Sequence, residues 1–324
     1  MKLNKLLSQA PKKESKVVPT GIASIDRMIG GGLQIGQVTT VAARPAMGKT
    51  TFAMSIVRNV GIMSKVPTAI LSPEYDEDHA VEILFATEFG WQKRDITSTI
   101  VTEEMGKAVT LLQQAGFKTG DADHEEFVQK MKEAPVWIEH CWDITVDELV
   151  AHVERMKKED NIQLLIIDGW AWIIAGQTYT EREQSMVKLG QLAHRLQIAI
   201  LITSELTRDV EHREIKRPML SDLRGGFCAE VYSPTVMFIY RPEYYGIQED
   251  ECGNTRDIAE IIVAKNDYGN VGDVRLKFSN HSRFEDLWVN PQQIEDELAV
   301  TNELLNLGGV TIRESWIPSE EEPF

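Results

Sequence analysis

Val41-Ala42-Ala43-Arg44-Pro45-Ala46-Met47-Gly48-Lys49-Thr50-Thr51 carries the strongest structural signal in the chain. A β-branched run, Val38-Thr39-Thr40-Val41, precedes its loop, and Thr51-Phe52-Ala53-Met54-Ser55-Ile56-Val57 continues it as a helix-forming segment. Strand, loop and helix in that order are the context a phosphate-binding loop requires. Backbone N–H groups of the loop and of the helix N-terminus surround the phosphates, the lysine reaches the β- and γ-oxygens, and the next hydroxyl ligates Mg²⁺. Ala43, Arg44, Pro45, Ala46, Met47, Gly48, Lys49, Thr50 and Thr51 are therefore the predicted nucleoside-triphosphate-binding residues, with Thr50 also a Mg²⁺ ligand. The generic pattern has Gly at its first position, where this chain has Ala43.

Strands and helices alternate on both sides of the loop. Pro67 to Ser72 reads as a buried strand and about Asp76 to Glu88 as a helix. Residues 102–132 read as helical, with a Gly-rich break near 116–120. Val136 to Glu139 reads as a strand, and Thr145-Val146-Asp147-Glu148 fits a capping box that starts a helix. Leu164 to Ile167 is a strand, about Thr180 to Leu196 a long helix, and Ile198 to Ile202 a strand. The last third is strand-rich: Val236–Tyr240, Ile258–Ala264, Val274–Phe278 and Phe284–Val289. This order predicts an α/β fold with a mostly parallel central sheet and an antiparallel C-terminal extension. Three regions are expected: a Lys-rich arm over residues 1–18, an ATPase domain over 19–289 and an acidic tail over 290–324.

Composition narrows the function classes. Forty-three per cent hydrophobic and 26% charged residues are ordinary for a soluble globular protein. No apolar run approaches the roughly 18 residues of a membrane span, since Leu164 to Ala175 is broken by Asp168. The first seven residues lack the apolar core of a signal peptide. Cys141, Cys228 and Cys252 have no metal-ligand spacing and read as reduced thiols, so a cytoplasmic location and no membrane partner are expected. The net charge of −16 disfavours indiscriminate binding to nucleic acid. It is unevenly spread, with five Lys against one Glu in residues 1–18 and eight acids against one Arg in 289–324. Any contact with nucleic acid must therefore come from a local loop.

Two carboxylates complete the predicted nucleotide site. Asp168 ends the apolar run Leu164-Leu165-Ile166-Ile167, the place for a Mg²⁺-associated carboxylate in a phosphate-loop enzyme. Glu74 follows the strand ending at Ser72, near the phosphate but beyond the metal, where a carboxylate can direct the attacking water. Asp76, Glu77 and Asp78 lie close by, so spacing alone does not single Glu74 out.

Several separated segments together resemble the C-terminal, RecA-like motor domain of DnaB-type replicative helicases. They are Ala42 to Ala53, Ser72-Pro73-Glu74, Leu165-Ile166-Ile167-Asp168, Leu192-Ala193-His194-Arg195-Leu196, Lys216 to Arg224, Phe238-Ile239-Tyr240-Arg241 and Ile261 to Asn266. The resemblance spans about residues 18–289 in the family's order and includes Ala at the first loop position. It implies a RecA-like phosphate-loop NTPase, assembled as a ring of six with ATP and Mg²⁺ between neighbours and single-stranded DNA through the centre. Lys49 and Thr50 would hold phosphate and metal, Asp168 would sit in the metal shell, and Glu74 would orient the water. Arg224, Gly225 and Gly226 fall on the family's DNA-tracking loop, and Lys265 on the basic pair that reaches into the neighbour's site. The family's N-terminal primase-binding domain is not matched, and the Lys-rich arm stands in its place.

Departures from the family's pattern predict slower hydrolysis. Asp267 stands where the second basic residue of the pair is expected. A trans Arg in comparable sites contributes on the order of 10³–10⁵ in rate. Ser204-Glu205-Leu206 has Glu for the usual Gln, Ile83 replaces an expected Arg, and Val231-Tyr232-Ser233-Pro234 replaces an acidic motif after Glu230. A rival expectation is thus a degenerate ATP-binding paralogue that assembles and recruits replication partners without efficient unwinding. The tail, ending Glu320-Glu321-Glu322-Pro323-Phe324, resembles partner-recruiting tips. A terminal Phe can fill an apolar pocket while the acids meet a basic rim, so a replication protein is the expected partner there.

Overall fold

The computed structural model describes residues 16–89, 122–224, 227–279 and 282–287. The chain divides into two compact units, Met1–Glu285 and Asp286–Phe324. The first is built on a nine-stranded sheet. In chain order its strands are β3 (Val38–Ala43), β4 (Thr68–Ser72), β5 (Val136–His140), β6 (Leu164–Ile167), β7 (Ala199–Glu205), β8 (Thr235–Tyr240), β11 (Ile258–Asn266), β12 (Gly272–Ser279) and β13 (Arg283–Asp286). Two small ladders account for the remaining strands: β1 (Val17–Val18) with β2 (Leu33–Gln34), and β9 (Glu249–Asp250) with β10 (Gly253–Asn254). The spatial order is β13-β12-β11-β8-β3-β7-β6-β4-β5. From β8 to β5 every pairing is parallel, while β11 is antiparallel to both β8 and β12. The predicted mixed sheet is therefore found, with its phosphate-loop strand near the middle.

Period-2 alternation explains the two cores. Leu164 and Ile166 of β6, with Ile70 and Leu201, pack on the same side as Phe52, Met54 and Ile56. These last belong to α2 (Lys49–Ile56), the helix after the phosphate loop, which follows the short α1 (Ala23–Met28). Leu165 and Ile167, with Ile200 and Ile202, face the other side, against α5 (Val146–Asp160) and α7 (Tyr179–Leu196). Strands covered on both faces can be aliphatic throughout, which is why they read as continuous apolar runs. Both long helices start on full capping boxes, Thr145 with Glu148 and Thr178 with Glu181. Each ends on a left-handed residue, Asn161 and Gln197. Among the described residues the remaining α-helices are α3 (Glu77–Phe89), α4 (Ala122–Lys132), α6 (Trp170–Ile173) and α8 (Phe227–Tyr232).

Three differences from expectation are local. The Lys-rich arm does not run to residue 18, because Val17 and Val18 already pair with Gln34 and Leu33. Of the helix expected over 102–132, α4 supplies the end, and residues 102–121 lie outside the described residues. The helix after the phosphate loop continues as a π-helical segment over Val57–Met63, closed by Ser64 N–H donating to Asn59 O at 3.1 Å. No helix among the described residues is long and apolar enough to cross a membrane.

Candidate functional site

Register brings the candidate residues together. Ala43 at the end of β3 pairs with Glu205 at the end of β7, and Ile167 pairs with both Leu71 and Ile202. The carboxyl ends of β3, β4, β6 and β7 therefore form one edge, from which the loop Arg44–Gly48, Glu74, Asp168 and Glu205 emerge. Ligands of open α/β sheets bind at such an edge.

The loop owes its shape to two left-handed residues, Ala46 (φ 64°) and Gly48 (φ 99°). Gly48 is also pressed against aromatic rings. A Cβ there would lie 3.0 Å from Phe284 Cζ and 3.1 Å from Phe278 Cζ. Phe278 and Phe284 lie 4.5 Å apart between centroids with their planes tilted by 36°, and Phe52 meets Phe284 edge-on at 5.4 Å. The antiparallel extension thus supplies the floor of the loop. Arg241, at the end of β8, lies 4.6 Å over the Phe278 ring and donates to Ala46 O at 3.2 Å. Arg44 is held on the other side, donating to Glu211 Oε1 at 2.9 Å and to Leu206 O at 3.1 Å. Arg44 belongs to the predicted nucleotide-binding loop, and its guanidinium ties that loop to the segment after β7.

Lys49 opens α2 and donates to Ala43 O at 3.4 Å. Burial lowers its pKa from the usual lysine value, opposed by the nearby carboxylates Glu205, Asp168 and Glu74. An arriving triphosphate would add negative charge beside that ammonium. Thr50 follows on the first turn of the same helix, partly exposed.

Asp168 is only 2% exposed. Its Oδ1 accepts from Thr203 Oγ1 at 2.6 Å, and its Oδ2 accepts from Tyr75 OH at 3.0 Å. Glu74 is exposed as a residue, yet its carboxyl is held above the usual range, first by desolvation and then by repulsion from Asp168. Lys49 and a hydrogen bond from the Trp172 indole pull the other way. A carboxylate raised in this way beside a phosphate cradle suits a group that accepts a proton from water. Gly169 (φ 109°) makes room for it. A Cβ on Gly169 would sit 2.9 Å from Glu74 Oε1 and 3.2 Å from Pro73 Cγ. Gly169→Ala is accordingly expected to displace Glu74, lowering ATP turnover on the order of 10²-fold while nucleotide binding persists. Equal turnover in the two proteins, measured by phosphate release, would show that Glu74 is not placed by this contact.

Among the described residues no three His, Cys, Asp or Glu side chains gather into a metal cage. A Mg²⁺ held mainly by phosphate oxygens and water needs none, and one carboxylate with one hydroxyl is an ordinary protein share. Asp168 and Thr50 fit that share.

Arg224 donates to Glu205 as an ion pair and through its backbone N–H to Glu205 O at 2.9 Å, so the predicted DNA loop starts beside the nucleotide edge. Gly225 and Gly226 lie outside the described residues. Lys265 does not join the site. It pairs with Val236, which pairs with Thr40, so it lies two strands away from β3 and three residues short of Ala43. At ~3.3 Å per residue and ~4.8 Å per strand this exceeds any lysine's reach. Its Nζ donates to Glu230 O at 2.7 Å. Asp267 is exposed on the same turn. Arg275, on β12, is engaged by Asp250 at 2.9 Å. The sequence reading missed Tyr75, Thr203, Trp172 and Arg241. One signal was present, a pair of hydroxyls (Thr203-Ser204) closing an otherwise aliphatic strand.

Comparison with known proteins accords with this geometry. The replicative DNA helicase DnaC of Bacillus subtilis (strain 168) is 31% identical over 287 residues, covering 85% of this chain and 59% of its own length. The replicative DNA helicase DnaB of Geobacillus stearothermophilus is 30% identical over 277 residues, covering 83% and 56%. The chain therefore spans somewhat over half the length of these relatives. A solved DnaB-like replicative helicase, described with its interactions with primase, superposes with TM-score 0.71 at 25% identity, covering 89% of this chain and 67% of that one. A second solved structure, an ATPase domain, shares the fold at TM-score 0.71 and 24% identity, covering 88% and 97%. The sequence pattern of the DnaB-like helicase C-terminal domain matches residues 17–286, and the chain belongs to that family.

Proposed function

We propose that this chain is an ATP-driven helicase motor acting on single-stranded DNA during replication, working as a ring of six with ATP at each boundary between copies. The observation that carries this reading is the convergence of Lys49, Glu74, Asp168 and Glu205 on one sheet edge beside the phosphate loop. In this reading Lys49 binds the β- and γ-phosphates, Thr50 and Asp168 hold Mg²⁺, and Glu74 accepts the proton of the attacking water. Mg²⁺, when bound, neutralises charge developing on the phosphate oxygens. Lys265, out of reach of its own loop, serves the site of a neighbour. Residues 290–324 would carry a docking tip for a replication protein. The named relatives are replicative helicases, which favours a working motor over a switch that binds ATP without unwinding.

ATP turnover measured alongside mass in solution and strand separation, with ATP and DNA present, tests the reading. A ring that hydrolyses ATP faster with single-stranded DNA and separates strands supports it. A ring that binds ATP but neither accelerates nor unwinds supports the switch.

Arg224, with Gly225 and Gly226, is the proposed DNA contact. Because the chain is acidic, affinity must come from several loops around one strand, each engaging a phosphate. Arg224→Ala is expected to weaken single-stranded DNA binding. The logarithmic salt slope should shrink by about 0.7 for each phosphate that is no longer neutralised. Titrations of a labelled oligonucleotide at several salt concentrations check this, and an unchanged slope removes the residue from the DNA path.

A further inference from the structure

The groups that hold Asp168 go beyond the reading above, although they rest on its assignment of Asp168 to the metal shell. Asp168 Oδ2 accepts from Tyr75 OH at 3.0 Å, and Oδ1 accepts from Thr203 Oγ1 at 2.6 Å. The direction of the second bond is fixed. Thr203 Oγ1 itself accepts from Gly169 N–H at 2.8 Å, so its single proton is directed to the carboxylate. Tyr75 has one hydroxyl proton as well, and donates it in a hydrogen bond to the carboxylate. Each carboxylate oxygen has two acceptor positions, so one on each is filled by a hydroxyl and one on each remains.

The two hydroxyls come from the strands flanking β6. Tyr75 follows β4 and Thr203 lies within β7, next to the Ile167–Ile202 pair. Asp168 N–H donates in turn to Leu71 O of β4 at 2.9 Å. A carboxylate clamped from both sides in this way cannot rotate about its χ2 without losing both bonds. Tyr75 also directly follows Glu74, so one turn supplies both the candidate water-directing acid and the clamp.

We propose that Tyr75 is a positioning residue that, with Thr203, fixes the Asp168 carboxylate in the orientation that receives Mg²⁺, and so sets the divalent-cation requirement of the nucleotide site. Tyr75 touches neither nucleotide nor water in this role. Groups that orient a metal ligand typically govern metal affinity by 10–100-fold.

The test uses the full chain and a non-hydrolysable ATP analogue, AMPPNP, whose binding is measured by calorimetry in EDTA and then across a MgCl₂ titration. Tyr75→Phe keeps the ring and removes only the donor. It should bind the analogue in EDTA within about twofold of wild type, while the Mg²⁺ concentration for half-maximal tightening rises roughly 10–100-fold. Thr203→Val should behave in the same way and Thr203→Ser, which keeps the hydroxyl, should not. This second pair carries the test if the tyrosine variant does not fold. A merely structural role would instead lower the melting temperature and weaken binding equally with and without Mg²⁺, which overturns the proposal. So does wild-type Mg²⁺ dependence in Tyr75→Phe and Thr203→Val. Asp168→Asn separates the two levels of inference. If that variant keeps wild-type Mg²⁺ dependence, the assignment of Asp168 has failed. If it loses the dependence while the hydroxyl variants keep it, only the clamp has failed.

Discussion

Lys49→Ala is expected to remove ATP turnover, with a loss on the order of 10²–10³-fold or more, and to weaken ATP binding with it. The magnitude follows from where the ammonium sits. It opens α2 at the end of the phosphate loop, in the company of Glu205, Asp168 and Glu74. Removing it leaves three carboxylates with no opposing lysine at the place where a triphosphate must enter. The backbone N–H groups of the loop remain, so the fold should persist and the melting temperature should change little. Calorimetry with ATP and a phosphate-release assay measure the two effects. Wild-type ATP affinity in this variant would sink the assignment of the loop.

Glu74→Gln should divide binding from chemistry. Gln keeps the size and can still accept from Trp172, but it cannot accept the proton of water. Turnover is expected to fall on the order of 10²–10⁴-fold with ATP affinity retained. The pH dependence gives a second readout. Desolvation, then Asp168, raises the Glu74 pKa above the ordinary carboxylate value. A base works only when ionised, so wild-type turnover should be lost as pH falls through that raised value. The loss should begin at a higher pH than an unperturbed glutamate would give. The residual turnover of Glu74→Gln should lack this limb. If the acidic limb survives unchanged in the variant, another group supplies it and Glu74 is not the base.

The sheet was legible because its strands are local apolar runs and its phosphate loop is a local motif. β3, β4, β6 and β7 are aliphatic for reasons internal to each segment, and capping at Thr145 needs only four consecutive residues. The chemistry at the edge was only half legible. Asp168 and Glu74 could be proposed from their place after strands. The hydroxyls that hold Asp168 depend instead on β4 and β7 both lying beside β6, a crossover order that no local pattern encodes. The contact of the Arg44 side chain was illegible for the same reason, since its partner, Glu211, is 167 residues away in sequence. The short ladder of Val17–Val18 with Leu33–Gln34 escaped because two residues carry no periodicity.

The aromatic floor beneath Gly48 sets how this chain can be shortened or rearranged. Phe278 and Phe284 come from the last two strands of the sheet, yet they bear on the tightest point of the phosphate loop, and Phe284 N–H donates to Ser55 Oγ on α2 at 3.1 Å. A shortened protein ending near Asn266 would retain every residue of the nucleotide motif and lose the surface against which that motif is moulded. The exposed turn Glu251–Cys252, between the strands Glu249–Asp250 and Gly253–Asn254, offers the opposite case, a place where inserted sequence meets no such demand. For anyone designing a minimal motor from this fold, the indispensable boundary therefore lies beyond Phe284, well past the last recognisable nucleotide signature.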